Sequence, residues 1–474
     1  MAAEGKYRAR AAAALARLHT FYNDTTGLWD KQGPWPAPGW WNSANALDAT
    51  LEFMRRTGDR TYASDIGNTF VNAQHTNAGF LNEYYDDQGW WALAWVKAYD
   101  LTRDARYLDM TKAIFANIAA NGWNDDTCGG GVWWKTDKQN KNAIVNELFL
   151  TIAARLHLRT PGDGGAGSYR EWVERAWSWF DASGMINDAN LVNDGLTAEC
   201  VNDGGATWSY NQGVILGGLV ALHEATGDDT LLTRAKAIAD AALHTDVLVD
   251  EKGILREPER DTRNLHETGA QFKGIFVRNL TVLYEATGEQ SYRDAILRNA
   301  DAIWSRSRDA SGALGIDWAG PFDLASAARQ SSALDALNGA LLFDTTGTTY
   351  QAENGVLHNL STEAKYSGFH GSGYVAGWNH DGQAVDIAVT VASDGLYDLA
   401  VRYAAIDDAV RCMHVGGTVA VPMLPFARTG SWTAWATSTA YDVRLRAGRN
   451  VVTIAFEHAH GSKGYLNVDE VTVL

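Results

Sequence analysis

Two adjacent carboxylates, Asp86 and Asp87, stand just before an aromatic-rich stretch that begins with Trp90 and Trp91. Aspartates are common where a helix begins, because they cap free backbone N–H groups and suit the positive end of the helix dipole. Two neighbouring carboxyl groups can also cleave a glycosidic bond, one attacking the anomeric carbon while the other protonates the leaving oxygen. Mutual repulsion separates their titrations, and burial beside indole rings favours the protonated form of one of them. The motif therefore predicts either a helix cap or a catalytic pair that acts on a sugar.

Two other acidic pairs compete with this one. Asp125 and Asp126 precede the glycine-rich segment TCGGGVWW, so we expect them to line a cleft without transferring protons. Asp228 and Asp229 follow a Thr-Gly pair between two helical segments, and we interpret them as a surface helix cap.

The aromatic residues of the chain are often next to polar residues or glycine. The sequence contains 19 Trp, 18 Tyr and 14 Phe, in segments such as PWPAPGWW, GWNDDTCGGGVWW and TWSYNQG. A sugar packs its C–H faces on aromatic rings, while its hydroxyl groups need hydrogen-bonding partners. The composition therefore favours carbohydrate binding, although many of the Trp side chains are expected in the core.

The bulk properties exclude several classes of partner. A formal charge of −17 and a pI near 5.1 disfavour a nucleic-acid backbone or an anionic membrane. No apolar run approaches the roughly 18 residues of a membrane-spanning helix, and we expect a monomer. The three cysteines, Cys128, Cys200 and Cys412, have no C-x-x-C spacing, so neither a zinc site nor a disulfide framework is indicated. A single disulfide between Cys128 and Cys200 is left open.

Helical repeats fill the chain up to about residue 345. Each repeat has an apolar helix of about a dozen residues, a short polar turn and a second helix, and we count roughly six such hairpins. Three turns share a Thr-Gly-acid pattern, in which Gly suits the helix C-cap and the acid suits the start of the next helix. These turns are Thr57-Gly58-Asp59, Thr226-Gly227-Asp228 and Thr287-Gly288-Glu289. The pattern predicts a closed (α/α)6 toroid for residues 1–345, with an open solenoid as the alternative.

The pattern changes to short alternating segments from about residue 350. Segments such as GQAVDIAVTVA and GYLNVDEVTVL have a period of two and are separated by turns. This pattern predicts a β-sandwich of the jelly-roll type over residues 350–474. The polar stretch DTTGTT is the expected linker between the two domains.

Five sequence blocks follow one another over residues 84 to 280: YYDDQGWWALAWVKAYDLT, GWNDDTCGGGVWW, NKNAIVNELF, TWSYNQG and FKGIFVRNL. Together and in this order, they resemble the endo-α-1,6-mannanases of glycoside hydrolase family 76. The resemblance implies an (α/α)6 enzyme that cleaves α-1,6-mannan backbones with retention and without a catalytic cofactor. By the same resemblance, Asp86 is the nucleophile and Asp87 is the general acid/base.

The other blocks supply substrate-binding residues by this resemblance. They are Trp90, Trp91, Asp125, Asp126, Trp133, Trp134, Tyr210, Asn211, Gln212 and Lys273. Trp133 and Trp134 would form an aromatic wall. Residues 210–212 could instead cap a helix, and Lys273 could instead extend along an apolar surface to reach water.

The C-terminal segment contains, in order, the stretches YQAENG, GSGYVAGW, GLYDLAVRYAA, GSWTAWATS and GYLNVDEVTVL. These stretches resemble carbohydrate-binding modules of families 6 and 35. The resemblance implies a sugar site at Tyr374, Trp432 and Asn467, and a structural Ca²⁺ held by Gln351, Glu353 and Asp469. Calcium takes oxygen ligands, and the alternative for these acidic and amide groups is a polar strand edge.

The sequence therefore predicts a secreted, two-domain hydrolase that cuts α-mannan internally. A transglycosidase is a close alternative, because a covalent glycosyl-enzyme can transfer its sugar to another sugar instead of water. A non-catalytic glycan-binding protein is the alternative from another class. Inverting α-mannosidases and unsaturated-uronide hydrolases share helical hairpins, and the second group fits less well because no basic set for a uronate is evident.

Overall fold

A computed structural model of the chain describes residues 5–30, 39–258, 269–344 and 347–474. Within these residues the chain forms two compact units. One comprises residues 10–342, and the other comprises residues 343–474 with the described residues before Arg10. The predicted linker falls at this division, and its residues 345 and 346 lie outside the described ranges.

Two layers of helices form the first unit. The helices are α1 (Lys6–His19), which belongs to this unit from Arg10 onward, α2 (Trp40–Thr57), α3 (Ala63–Asn72), α4 (Tyr85–Thr102), α5 (Ala105–Asn121), α6 (Ala143–His157), α7 (Tyr169–Ala182), α8 (Ser209–Thr226), α9 (Asp229–His244), α10 (Phe272–Thr287), α11 (Gln290–Arg306) and α12 (Ala327–Ala340). The even-numbered helices contact one another in sequence, and α12 contacts α2, which closes an inner ring. Helices α5, α7, α9 and α11 pack outside α4, α6, α8 and α10. The predicted (α/α)6 ring is confirmed.

The two layers differ in how much of each helix is buried. An inner helix touches two inner neighbours and the outer layer, and α6 is accordingly buried without a break from Ala143 to Ala154. The outer helix α7 buries only Val173, Ala176 and Phe180, which share one face. Among the described helices, none has the length and apolarity needed to cross a membrane.

Glycine ends three of the inner helices, as the turn pattern predicted. Gly58, Gly227 and Gly288 take left-handed φ values of 75°, 74° and 71°, and each N–H donates to a carbonyl of the last turn. Asp228 then caps α9 by accepting a hydrogen bond from the Thr230 N–H, as expected for a surface cap.

Short turns join inner helices to the outer helices that follow them, at one end of the ring. The long connections between hairpins therefore lie at the other end, around the first turns of the inner helices. The C-terminal halves of the inner helices enclose a cavity of about 290 Å³. Ion pairs line it, including Lys97 Nζ to Asp48 Oδ1 at 2.6 Å and Arg278 Nη1 to the same atom at 2.7 Å. Trp90 borders both this cavity and a larger one among the long connections.

Strands dominate the second unit. A short hairpin of β1 (Tyr22–Asn23) and β2 (Leu28–Trp29) precedes α2 in the helical unit. The remaining strands are β3 (Thr348–Gln351), β4 (Val356–His358), β5 (Ser361–Glu363), β6 (Tyr374–Ala376), β7 (Ala384–Val391), β8 (Gly395–Ala404), β9 (Ala409–Val415), β10 (Thr418–Phe426), β11 (Ala436–Leu445), β12 (Gly448–Ala455) and β13 (Asn467–Val473). They form a five-stranded sheet, β10-β9-β12-β7-β4, and a six-stranded sheet that contains β11-β8-β13-β6-β5 with β3 beside β13.

Alternation along the strands builds the core between the two sheets. In β7 the residues Val385, Ile387, Val389 and Val391 all join one apolar cluster, as a period of two requires. The cluster also takes residues from β8 and β13 of the other sheet. The predicted β-sandwich is confirmed.

Candidate active site

A cavity of about 800 Å³ opens among the loops at the N-terminal ends of the inner helices. The residues that line it come from the first turns of α2, α4, α8 and α10 and from the connections between helices. They include Trp41, Tyr84, Asp86, Asp87, Trp90, Trp134, Lys141, Asp194, Trp208, Tyr210 and Phe272. The two central aspartates of the sequence motif therefore face this cavity.

Asp86 lies in the first turn of α4 and accepts two hydrogen bonds. The indole Nε1 of Trp134 donates to Oδ2 at 2.9 Å, and the backbone N–H of Asp87 donates to Oδ1 at 2.9 Å. Burial raises the pKa of Asp86 to about 6, and the nearby Asp194 charge adds to this, although both N–H donors favour the ionised form. The carboxylate is thus half-buried and oriented by two donors.

Asp87 is held by one side chain, Asn82, whose Nδ2 donates to Oδ2 at 2.6 Å. Burial and then the adjacent Asp86 charge raise the pKa of Asp87 well above its usual value. Asn82 is fixed in turn, because its Oδ1 accepts from the Tyr84 N–H and its carbonyl accepts from Gln88 Nε2. The two carboxyl groups therefore have different surroundings, with two N–H donors to Asp86 and one side-chain donor to Asp87.

A backbone pairing brings Trp134 to Asp86 from 48 residues away. The Tyr85 N–H donates to the Trp134 carbonyl at 2.9 Å, and the Thr136 N–H donates to the Glu83 carbonyl at 2.9 Å. The segment before α4 thereby forms a short antiparallel bridge with the segment before α6. The indole of Trp134 also lies against the Tyr84 ring, with centroids 5.2 Å apart.

Aromatic rings form the walls of the cavity. Tyr210 stacks on Phe272 with centroids 3.8 Å apart and an interplanar angle of 6°, and Trp208 meets the same phenylalanine edge-on at 5.7 Å. Trp41 stacks on Trp90 at 5.9 Å on the α2–α4 side. Flat apolar faces beside carboxylates suit a sugar, which presents both C–H faces and hydroxyl groups.

Asp194 is a third carboxylate of the cavity, and the sequence analysis missed it. Asn211 Nδ2 donates to its Oδ1 at 3.3 Å, and burial raises its pKa. Its backbone carbonyl accepts from the Ala143 N–H at the start of α6. The local sequence LVNDGLTAEC resembles any Asp-Gly turn, so only the tertiary contacts identify it.

Lys141 was also missed, and it organises the loop around Cys128. Its Nζ donates to the carbonyls of Asn124, Thr127 and Gly130 at 2.8, 2.6 and 2.5 Å. Burial lowers the pKa of Lys141 to about 8. The Cys128–Cys200 disulfide, left open by the sequence, is formed and links this loop to the next long connection.

The structure does not bring Asp125 and Asp126 to the cavity, so their predicted role in lining the cleft is wrong. Asp125 is exposed and forms an ion pair with Arg175, which lies 50 residues later, and it accepts a hydrogen bond from Trp123 Nε1 at 2.8 Å. Asp126 is exposed in the same loop.

Two other residues that were predicted to bind substrate, Trp91 and Trp133, are buried in the protein outside the cavity. Trp91 is fully buried and stacks on Trp95, and Trp133 is buried beside the Lys141 ammonium. Neither lines the cavity, because the burial that stabilises these indoles leaves no face for a ligand.

Asn211, Gln212 and Lys273 were also predicted to bind substrate, and the structure gives each of them a different role. Asn211 orients Asp194, whereas buried Gln212 accepts from the Val192 N–H and donates to the Val192 carbonyl, both at 2.8 Å. Lys273 is buried, and its Nζ donates to the Ile316 carbonyl at 2.7 Å. Neither the cleft position nor the exposed alternative holds for Lys273. Of the substrate-binding residues predicted from the sequence, Trp90, Trp134 and Tyr210 line the cavity.

In the sandwich, the predicted sugar-binding residues differ in accessibility. Trp432 is partly exposed and stacks on Tyr366 with centroids 6.1 Å apart. Tyr374 is fully buried, and its hydroxyl oxygen accepts from the Tyr366 N–H at 3.3 Å, so it supports that tyrosine. Asn467 is buried at the start of β13. The accessible aromatic pair is therefore Trp432 with Tyr366.

Two of the three predicted calcium ligands fit a cation. Gln351 Oε1 and Glu353 Oε2 are buried without a hydrogen-bond partner among the described residues. Gly371 leaves room beside them, since a Cβ there would lie 2.4 Å from Glu353 Oε1 and 2.5 Å from Gln351 Oε1. Asp469 does not fit, because it accepts from the His370 N–H and pairs with the Arg402 guanidinium. Amide and carboxylate oxygens are ligand types that Ca²⁺ takes, and the predicted third ligand is already paired.

Family models match both units of the chain. The model described as Glycosyl hydrolase family 76 matches residues 6–352, and the model of carbohydrate binding module family 35 matches residues 348–474. The helical ring with the paired carboxylates thus corresponds to the glycosyl hydrolase model, and the β-sandwich corresponds to the carbohydrate binding module model. The chain belongs to glycosyl hydrolase family 76.

Curated relatives come from fungi. The chain is 29% identical over 247 residues to mannan endo-1,6-alpha-mannosidase DFG5 of Candida albicans, over 47% of this chain and 52% of the relative. It is 28% identical over 349 residues to mannan endo-1,6-alpha-mannosidase DCW1 of Saccharomyces cerevisiae, over 67% of this chain and 74% of the relative. The chain thus spans about half of the first relative and about three quarters of the second.

Solved structures share the helical fold. One is an inactive variant of the alpha-1,6-mannanase GH76A of Salegentibacter sp. HEL1_6 with alpha-1,6-mannotriose, at TM-score 0.63 and 23% identity over 71% of this chain and 99% of that chain. Another is Dfg5 of Chaetomium thermophilum with glucosamine, at TM-score 0.62 and 22% identity over 71% of this chain and 90% of that chain.

Proposed function

We propose that the chain is a retaining, endo-acting glycoside hydrolase that cleaves α-1,6-mannan, with Asp86 as nucleophile and Asp87 as general acid/base. The unequal surroundings of the two carboxyl groups are the observation that carries this assignment. Asp86 accepts two N–H donors, which stabilise a carboxylate. Asp87 accepts one donor and faces the Asp86 charge, which keeps it protonated.

These surroundings suit a two-step reaction. Asp86 attacks the anomeric carbon while Asp87 transfers its proton to the departing glycosidic oxygen, and a glycosyl ester on Asp86 results. The ester has no charge, so the repulsion that held the proton on Asp87 disappears. Asp87 then accepts a proton from the incoming water, and Asp86 is released with retention of configuration. Trp134 keeps the Asp86 carboxylate oriented throughout.

The substrate is inferred from the walls of the cavity and from the relatives. Aromatic faces at Trp41, Trp134 and Tyr210 line an open cavity, which suits several sugar units of a chain rather than one small molecule. The curated relatives are named as mannan endo-1,6-alpha-mannosidases, and a structural neighbour was inactivated by replacing two consecutive aspartates with asparagine. Because a polysaccharide backbone does not enter cells intact, we also propose that the protein acts outside the cell.

The test compares wild type with Asp86→Asn and Asp87→Asn on linear α-1,6-mannan, with Asp125→Asn as a matched control. We expect both active-site variants to lose turnover by a factor of at least ~10³ while still binding oligomannan. The control should retain activity, because Asp125 lies outside the cavity. Early products should be oligosaccharides of mixed length, and NMR should show the α-anomer first.

Each alternative function predicts a different result in this assay. A binding protein would show no release of reducing ends from the wild type. A transglycosidase would convert oligomannan into longer chains faster than it released reducing ends. Mannose as the sole early product would contradict internal cleavage, and a β-anomer formed first would contradict retention.

For the sandwich, we propose glycan binding at Trp432 and a structural Ca²⁺ held through Gln351 and Glu353. Bound calcium would neutralise Glu353 and lock the turn at Gly371, and it would stabilise the module by mass action. We expect added Ca²⁺ to raise the melting temperature of wild type but not of Glu353→Gln. An equal shift in both proteins would contradict the site. Trp432→Ala should weaken retention on insoluble mannan without changing turnover of a short soluble substrate.

A further inference from the structure

A second group of metal-binding side chains lies in the sandwich, away from Gln351 and Glu353. Cys412 and His414 project from strand β9, and Glu457 and His460 come from the turn that follows β12. These four residues bring a thiol, two imidazoles and a carboxylate together. The sequence analysis found no zinc spacing among the cysteines, because a single cysteine contributes here.

The fold brings the two segments together through strand register. Met413 joins the core, so its neighbours Cys412 and His414 project from the opposite, outer face of the five-stranded sheet. In the pairing of β12 with β9, Ala455 lies opposite Cys412. Glu457 follows two residues later. A 3₁₀ turn then places His460 on the same side as Glu457.

Hydrogen bonds fix this turn. The N–H groups of His460 and Ser462 both donate to the Glu457 carbonyl at 3.0 Å. Gly461 ends the turn with a left-handed φ of 74°. The backbone conformation of this turn therefore holds the Glu457 carboxylate and the His460 imidazole close together, in addition to the hydrogen bond between them.

Contacts of 2.7 to 3.4 Å link the donor atoms of the cluster. His414 Nε2 lies 3.4 Å from Cys412 Sγ and 3.0 Å from Glu457 Oε1, and His460 Nδ1 lies 2.7 Å from Glu457 Oε2. Ligand atoms of Cys412, Glu457 and His460 all lie within 4.8 Å of one another. A tetrahedral zinc ion with ordinary bond lengths separates its donors by about 3.3–3.6 Å. Small rotations of these side chains would reach that geometry.

The site is closed on the protein side and open to solvent. Cys412 is fully buried, whereas the side chains of His414, Glu457 and His460 are 15%, 31% and 36% exposed. His414 and Glu457 also line an open cavity of about 290 Å³. An ion can therefore reach the His414 and Glu457 side chains, which contact the buried Cys412 side chain through His414.

We propose that Cys412, His414, Glu457 and His460 bind one Zn²⁺ ion. Thiolate and imidazole ligands select zinc and related transition metals, whereas Ca²⁺ and Mg²⁺ prefer oxygen ligands alone. Binding exchanges the Cys412 thiol proton for the metal and releases that proton to solvent. The metal joins β9 to the turn after β12, so it stabilises the sandwich. This inference does not depend on the proposed hydrolase activity.

The experiment uses the untagged, full-length chain after treatment with a chelator and gel filtration. Zinc is titrated against a competing chromophoric chelator, and Co²⁺ is added separately as a spectroscopic probe. We expect one zinc per chain. We also expect a thiolate-to-cobalt charge-transfer band with intense visible bands, which mark tetrahedral coordination with sulfur.

Cys412→Ser and His460→Gln test the ligands, and His458→Gln is the matched control. His458 belongs to the same turn, but its Nδ1 lies 3.2 Å from Asp381 Oδ1, outside the cluster. We expect each ligand variant to bind zinc at least ~10–100-fold more weakly, the loss typical even for groups that only support a ligand. The control should bind as wild type does.

Several results would overturn the proposal. They are a wild type without stoichiometric zinc, a cobalt spectrum without the charge-transfer band, and equal zinc affinity in wild type and His460→Gln. If Cys412→Ser fails to fold, His460→Gln decides the question, because that imidazole is partly exposed and contributes little to the core.

Discussion

Replacing Asp86 by asparagine should stabilise the helical unit at neutral and alkaline pH while abolishing turnover. The pKa of Asp86 is raised to about 6 by burial from an ordinary value of 3.8. In the unfolded chain the carboxyl group ionises near pH 4, but in the native chain it ionises only near pH 6. The native state therefore loses stability as the pH rises between these values, and the loss is complete above about pH 6.

The magnitude follows from the shift of about two pH units. At about 1.4 kcal/mol per unit, the ionised Asp86 destabilises the native state by about 3 kcal/mol. Asparagine removes this cost, but it has one oxygen for two N–H donors, Trp134 Nε1 and the Asp87 N–H. The lost hydrogen bond offsets about 1 kcal/mol. We expect Asp86→Asn to be about 2 kcal/mol more stable near pH 8 and to have no advantage near pH 3.5.

The assay is denaturant unfolding of wild type and variant across this pH range, with Asp125→Asn as control. Asp125 is exposed and paired with Arg175, which lowers its pKa, so its replacement should give no gain at any pH. A gain for Asp86→Asn that was independent of pH, or no gain near pH 8, would refute the reasoning. Either result would mean that the folded protein does not hold Asp86 at a raised pKa.

Three further expectations follow from the same site. The value of kcat/KM should fall below about pH 6, because Asp86 becomes protonated, and it should fall again at higher pH, because Asp87 loses its proton. A kcat/KM that kept rising with pH would contradict the assigned roles. Replacing Cys128 and Cys200 by serine should lower the free energy of unfolding by about 4 kcal/mol, since the bond spans 72 residues, and calorimetry under non-reducing conditions measures this. Lys141→Met should lower the free energy of unfolding by about 2–4 kcal/mol and increase proteolysis of the loop after Asn124, because the carbonyls that the ammonium binds would lose their donor. Equal proteolysis of variant and wild type would contradict this.

The sequence predicted the parts of the structure that local patterns determine. Thr-Gly-acid turns identified the helix ends at Gly58, Gly227 and Gly288, because only a left-handed residue closes a helix in that way. The alternation in β7 identified a strand with one buried face. The motif around Asp86 and its resemblance to a known family pointed to the cavity.

Contacts between distant segments could not be predicted. Asp125 resembles a cleft residue until Arg175, which lies 50 residues later, is placed beside it. Asp194 belongs to an unremarkable turn and gains its position from Asn211 and the start of α6. Polar groups such as Gln212 bind the backbone of another loop, and no single-sequence pattern distinguishes that role from ligand binding.

Trp90 has a consequence for how a polymer would bind to the proposed hydrolase. The buried indole borders both the cavity at the carboxylate mouth and the ion-paired cavity beneath it, so among the described residues Trp90 lies between the two cavities. For the proposed mannan substrate, we expect a long chain to lie across the rim of the upper cavity, with both of its ends in solvent. Encounters along the middle of a polymer then need no free terminus, and both fragments can diffuse away on the side from which the polymer arrived.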